Sequence, residues 1–339
     1  MDIHLQYLAS ESQGVRALAL KVITDDISIL LDPACALGPI PNFPTPHPFE
    51  YVALQQSTQR ILASCSDARL LAISHYHHDH YKPQERNWEY LWSDPTIFQQ
   101  IFQGKMVFAK HPTDNIGSNQ RARAREFQQH LSKVNGSFVP SDGRRFSFGN
   151  TKIQFSPPLP HGSLGTRLGS IIGVSIQDQD GCFCCCPDVQ GPTVPETVEW
   201  VLAQEPQLLT LGGPPLFLPP PKFTVEQQGD FFRNIEQLAA SVRKIVIDHH
   251  LFRHITGIET FHALKGKLKK LGCTLVNFAE QNAVRGNFLE AWRPRLYSEY
   301  PPNEHFLRWA NSPKKNRENT PPPIPVDFLH NLQGFDFKA

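Results

Sequence analysis

The chain has 339 residues, a formal net charge of +1, 40% hydrophobic residues and a mean hydropathy of −0.35. That length supports one large domain or two ordinary ones with a sizeable core. The near-zero charge argues against a nucleic-acid binder with a wide basic face, although it leaves room for a local patch. No apolar run reaches membrane-spanning length, and Met1–His4 lacks the basic-then-apolar order of a secretory signal; seven cysteines, with Cys184, Cys185 and Cys186 consecutive, fit a reducing cytosol better than a disulfide framework.

In chain order, residues 3–8 and 16–24 read as strands around a turn that holds Ser10, Ser12 and Gly14. Arg16 opens the second strand and has two readings, contact with an anionic substrate or a pair with Glu11. A third strand at 27–31 ends at Asp32 and Pro33. Residues 37–50 carry Gly38, five prolines and His47, a loop too stiff for a linker. Helical character follows at 50–65. The apolar run Leu70–Ile73 then reads as a buried strand.

That strand delivers the densest chemistry of the chain: His75, Tyr76, His77, His78, Asp79 and His80. In extended chain His75 and His77 project to one side, and Asp79 and His80 arrive as the chain turns. A single His at a strand end is usually an ordinary polar residue. Four His and one Asp within six residues are different, because protonated imidazoles repel and a bound metal removes that cost. Imidazole and carboxylate suit zinc, iron or manganese.

The pattern His75-x-His77-x-Asp79-His80 resembles the central motif of the metallo-β-lactamase superfamily. LASESxGVR (8–16), LDP (31–33), ALGP (36–39), PHP (46–48) and SHYHxDH (74–80) together resemble a branch of predicted metal-dependent hydrolases within it, up to about Tyr297. The resemblance implies an α/β fold, the four-layer αβ/βα sandwich, with metals at strand ends between two sheets. It implies a hydrolase domain at 1–297 and leaves 298–339 as a Pro-rich tail. It places Asp32 beneath the His-rich loop, orienting a ligand imidazole through its other nitrogen. It also implies two divalent ions, zinc first, with iron or manganese compatible. One ion takes His75, His77 and His161. The other takes Asp79, His80 and either His249 or His250, with His249 preferred as nearer its strand end. Asp188 bridges, and Asp79 also stands to assist proton transfer. No substrate comes with the resemblance.

Beyond the motif, residues 81–104 read as a surface excursion in which Trp88, Trp92, Phe98 and Phe102 pack. Met106–Lys110 is a strand. A helix capped by Ser118 sets Arg121 and Arg125 on one face, either as a solvated basic face or as an anion-binding rim. A hairpin spans 144–155 and turns at Gly149 and Asn150. His161 follows in a loop, and 169–176 is the returning strand. The cysteines of the strand 181–186 read as core rather than as metal ligands, because consecutive strand residues face opposite ways. After Asp188 come a strand at 208–211 and a stiff loop at 212–221, whose Leu216, Phe217 and Leu218 suggest an apolar wall. An amphipathic helix at 224–242, a strand at 244–248 and a helix at 258–271 complete the domain. The tail is partly ordered by Phe306 and Trp309.

The leading functional expectation is a hydrolase of a small ester, phosphodiester or related substrate, with an anionic phosphate ester or phosphodiester the first choice and a neutral ester or lactone the alternative. A nuclease is second, set back because the Asp188–His249 span shows no inserted domain. A redox protein ranks lower, since diiron flavoprotein relatives carry Glu where this chain has His77. A non-catalytic binder ranks last, because every expected ligand position is filled.

Overall fold

Period-two alternation decides the architecture. Leu71 and Ile73 belong to one buried cluster, and their neighbours Leu70 and Ala72 to another. The same split separates Cys182, Cys184 and Cys186 from Phe183 and Cys185, and Ile245 and Ile247 from Val246. Strands that are apolar on both faces must be covered on both, which dictates a four-layer sandwich. The computed structural model, which describes residues 3–40 and 45–324, has that form.

The first sheet runs in sequence order: β1 (His4–Ser10), β2 (Leu18–Ile23), β3 (Ser28–Leu31), β4 (Leu70–Ile73), β5 (Met106–Ala109) and β6 (Ser137–Pro140). β1 to β3 pair antiparallel, and β3 to β6 pair parallel. The second sheet draws on β7 (Arg145–Phe148), β8 (Thr151–Phe155), β11 (Val174–Gln177), β12 (Cys182–Cys186), β13 (Leu208–Gly212), β14 (Lys244–Asp248) and β15 (Thr274–Val276). Its order is β15-β14-β13-β12-β11-β8-β7, with a small ribbon of β9 (Leu159–Pro160) and β10 (Ser170–Ile171) beside it. The expected returning strand is thus two pieces, broken at Ile172 and Gly173.

The helices that cover the sheets are α1 (Pro48–Cys65), α2 (Pro95–Phe102), α3 (Ser118–Lys133), α4 (Pro195–Leu202), α5 (Val225–Ala239) and α6 (Ile255–Lys270). α7 (Phe278–Gln281), α8 (Leu289–Glu299), α9 (Glu304–Ala310) and α10 (Lys314–Asn319) follow. Between the sheets pack Leu20, Ile29, Leu31 and Phe108 against Phe155, Ile176, Phe183 and Val246. The four consecutive or alternate cysteines of β12 are all buried and unbridged, as core residues should be. No helix of the described residues is long and apolar enough to cross a membrane.

Other details also differ from the sequence reading. The cap of α3 is Gly117, without a side-chain hydrogen bond, and Ser118 is the first helical residue. The helical bounds of α2 and α4 and the short edge strands β6 and β15 add elements to the sequence reading. The boundary at 297/298 falls inside α8, which is tied to α1 by the buried fork of Arg293 on Glu50 at 2.7 and 2.8 Å. Past it, Phe306 and Trp309 are buried against Tyr51 of α1. Residues 325–339 of the expected tail lie outside the described residues.

Candidate metal centre

The parallel strands of both sheets end at one place. β3 ends into Asp32, β4 into His75, β12 into Asp188 and β14 into His249. Close approach is needed there: a Cβ on Gly212 would lie 1.6 Å from Pro187 O, beside Asp188, so β13 must end in glycine. Asp32 and His249 both adopt left-handed backbone, with φ of 46° and 68°. Such conformations cost about 1–3 kcal/mol each and need support from their surroundings. Asp32 N donates to Ala72 O at 2.9 Å, and the Asp248 carboxylate accepts from His249 N at 2.9 Å. Asp248 also accepts from Ser12 N and Phe278 N, each at 3.0 Å, which staples the first turn of the chain to the end of β14.

One carboxylate oxygen is the hub. Asp188 Oδ2 lies 2.7 Å from His161 Nε2, 3.5 Å from His75 Nε2, 3.6 Å from His249 Nε2, 3.7 Å from His80 Nε2 and 3.9 Å from His77 Nδ1. Three overlapping groups with metal-ligand geometry result among the described residues. His75, His77, His161 and Asp188 form one, Asp79, His80 and His249 another, and Asp188, His249 and His250 the third, each with one ligand atom per residue inside 4.8 Å of the rest. Buried His75 Nε2 has no hydrogen-bond partner. An orphaned imidazole nitrogen aimed into such a ring is what a bound cation would satisfy, so the donor set fits a metal pair.

The imidazoles are held from behind. Asp32 Oδ2 lies 2.7 Å from His80 Nδ1 and accepts from Ser74 Oγ at 2.6 Å, while its Oδ1 accepts from Ser74 N at 2.7 Å. Glu11 lies 2.9 Å from His249 Nδ1 and accepts from Arg253 Nε at 2.8 Å. Burial presses all these rings toward neutrality. For His75 it wins, reinforced by the neighbouring His80, and the ring sits well below its ordinary value. For His80 burial is outweighed by Asp32, and the ring is raised. For His249 burial is outweighed by Glu11 and then Asp188, which lift it to about 10. Against its own burial, Asp188 is kept well below the usual carboxylate range by His161, His250 and His249.

The structure brings Asp32, His75, His77, Asp79, His80, His161, Asp188 and His249 together at one place. His250 does not turn away: its Nε2 lies 3.0 Å from Asp188 Oδ1, and with Asp188 and His249 it forms a further group of metal-ligand geometry. The arginines come out differently. Arg16 is forked on Glu290 through Nε at 2.7 Å and Nη2 at 2.5 Å, not on Glu11, and it still lines the cleft. Arg121 lines a neighbouring hollow, and Arg125 is exposed outside the cleft. Arg123, two residues round the helix from each, lines it instead and donates to Tyr76 O at 3.2 Å. The sequence reading missed Arg253, which lines the cleft with Nη2 3.5 Å from Asp79 Oδ2, and gave Glu11 no role at His249. Glu11 is far in sequence from His249 and nothing local marks it, whereas Arg253 follows His249 by four residues, with its Nη2 3.4 Å from His249 Nδ1.

No family model matches the chain. It is 33% identical over 293 residues to a UPF0282 protein of Methanopyrus kandleri, covering 86% of this chain and 98% of that one. It is 35% identical over 291 residues to a UPF0282 protein of Pyrococcus furiosus, covering 86% and 90%. Among solved structures it is similar to the diiron β-hydroxylase CmlA of Streptomyces venezuelae, at 12% identity and TM-score 0.47, over 81% of this chain and 52% of that one. It is also similar to an isothiocyanate hydrolase from Delia radicum gut bacteria, at 15% identity and TM-score 0.46, over 78% and 94%. The metallo-β-lactamase fold protein YhfI of Bacillus subtilis is a further likeness, at 12% identity and TM-score 0.44, over 77% and 88%. The chain belongs to the UPF0282 family.

Proposed function

We propose that the chain is a dinuclear metal-dependent hydrolase of an ester-type bond in a small anionic substrate, with phosphodiesters the first class to test and zinc the first metal. The observation that carries this reading is the single Asp188 oxygen ringed by five imidazoles at 2.7 to 3.9 Å, with Asp79 closing the far end. His75, His77 and His161 would hold one ion, Asp79, His80 and His249 the other, and Asp188 both. When bound, such a pair supplies a nucleophilic water near neutral pH and charge stabilisation for the developing oxyanion.

The remaining roles belong to the chain. Asp32 and Glu11 hold His80 and His249 with Nε2 toward the centre. Asp79, 19% exposed in its side chain and 3.5 Å from Arg253 Nη2, is placed to hold or pass a proton at its carboxylate. Arg253, Arg123 and Arg16 line the cleft and favour a negative substrate group. Hydrolysis adds water across the ester: the bond to the leaving oxygen breaks, that oxygen takes a proton, and no redox partner is needed.

Elemental analysis of the purified chain tests the reading, with two divalent ions per chain expected. Chelation should abolish hydrolysis of a chromogenic phosphodiester, and metal should restore it. One ion or none per chain after metal loading would remove the dinuclear assignment.

A further inference from the structure

The cleft at the His/Asp cluster does not end at the ligands. Arg16 and Arg253 line it and also line a second hollow. The cleft holds about 380 Å³ and the hollow about 730 Å³, within the range of small-molecule sites. Their walls differ in kind. Imidazoles, carboxylates and guanidiniums line the first. Ile40, Phe217, Leu218, Ala291, Trp292 and Pro294 form an apolar wall of the second, beside Lys222, His254, Glu290 and Arg295.

The neck between them carries two guanidiniums, each held by a carboxylate. Glu290 takes Nε and Nη2 of Arg16, leaving Nη1 outside the fork. Glu11 takes Nε of Arg253. Neither guanidinium is free to swing, so both are positioned for a charge at the junction. The apolar wall is held as firmly. Phe217 and Leu218 are half-buried on the loop after β13, whose end also packs beside Asp188. Trp292 sits on α8, which Arg293 anchors to α1.

We propose that the substrate is an anionic amphiphile. Its scissile ester lies at the His/Asp cluster, its negative charge meets Arg16 and Arg253, and an apolar chain or ring fills the groove walled by Phe217, Leu218 and Trp292. The proposal rests on the hydrolase reading above and goes past it in naming the leaving or retained group. A wholly polar ester uses the cleft and leaves the groove wet. A wholly neutral one makes no use of the two fixed guanidiniums. Each methylene taken from water into the groove should tighten binding roughly fourfold.

The first test needs neither metal nor turnover. Anilinonaphthalene sulfonate, an anionic aromatic probe, is titrated against the full chain, both as purified and after chelation, and displaced with ethyl, butyl and octyl phosphate. One saturable site is expected in both states, and octyl phosphate should displace the probe at concentrations at least tenfold below ethyl phosphate. Leu218→Asp should remove that gradient, and Phe217→Ala, a milder change should the first variant fold poorly, should lower it about threefold. A second test follows kcat/KM along alkyl 4-nitrophenyl phosphates, with a rise expected as the chain lengthens and a flat profile in Leu218→Asp. Failure to bind the probe saturably, the result if a segment of this chain fills the groove, overturns the proposal. So does chain-length independence in the wild type, while hydrolysis of short and long esters at equal rates would leave the hydrolase reading standing. Graded binding with no ester hydrolysed would do the reverse, supporting the groove and overturning the hydrolase reading.

Discussion

The two ends of the His/Asp cluster are made of the same side chains and supported differently. At one end His80 Nδ1 and His249 Nδ1 sit directly on carboxylates, Asp32 at 2.7 Å and Glu11 at 2.9 Å. At the other, among the described residues, His75 Nδ1 meets only the hydroxyl of Ser74 at 3.0 Å, and buried His161 Nδ1 has no hydrogen-bond partner. Charge behind an imidazole fixes its tautomer and raises its basicity, and a hydroxyl does this weakly. The rings respond accordingly: His75 and His77 are lowered by burial, while His80 and His249 are raised in spite of it. One end has carboxylates directly behind its rings and the other does not, while both face the shared Asp188.

The largest effect should come from the shared group. Asp188→Ala takes a carboxylate from both ends at once, so metal content should fall from two ions per chain toward none. Two ions retained in that variant would show that the ends are independent and that the comparison has the wrong hub.

Next come the adjacent histidines. His249→Ala should lose the ion of the carboxylate-backed end and keep the other. His250→Ala should keep both, because its Nε2 addresses Asp188 Oδ1 and not the ring of nitrogens around Oδ2. Metal content of the two variants decides this, and loss confined to His250→Ala would reverse the assignment.

How the sequence disclosed these ends follows from the range of the interactions. The hexapeptide is local, so His75, His77, Asp79 and His80 are readable from one strand end. Asp32, His161, Asp188 and His249 are each the residue at a strand end in a resembling pattern, and the fold brings those ends together. Glu11 is a turn residue by every local sign. What gives it a role is His249, 238 positions away. The arginines of α3 show a different limit. Arg121, Arg123 and Arg125 make that helix polar nearly all round, so periodicity sets their relative phase and leaves open which of them faces the cleft. Short edge strands such as β6 and β15 carry too few residues to alternate legibly.

Glu11→Gln tests the background charge itself. Glutamine retains an acceptor for His249 Nδ1 but removes the charge. The ion at that end should bind roughly 10- to 100-fold more weakly, read by stepwise competition with a chelator, and the other should change little. Equal weakening of both would mean that the charge acts on the centre as a whole.

The smallest effect is expected from Ser74→Ala, and it is the sharpest probe of the contrast. Ser74 Oγ donates to Asp32 Oδ2 at 2.6 Å, so its only proton is committed, and it can meet His75 Nδ1 at 3.0 Å only as an acceptor. His75 is thus linked to the Asp32 charge through one neutral hydroxyl. In the alanine variant Asp32 keeps the backbone N–H of residue 74 and the His80 ring, so the carboxylate-backed end should hold its ion as before. His75 Nδ1, fully buried, loses its partner, which should cost about 1–3 kcal/mol of stability in urea unfolding. Its metal affinity should fall less than tenfold, because a neutral hydroxyl passes on little of the charge behind it. A loss as large as that of Glu11→Gln would show that the relay through Ser74 carries the Asp32 charge to His75 almost undiminished. Both ends would then be carboxylate-backed, one directly and one through a hydroxyl, and the asymmetry would reduce to His161 alone.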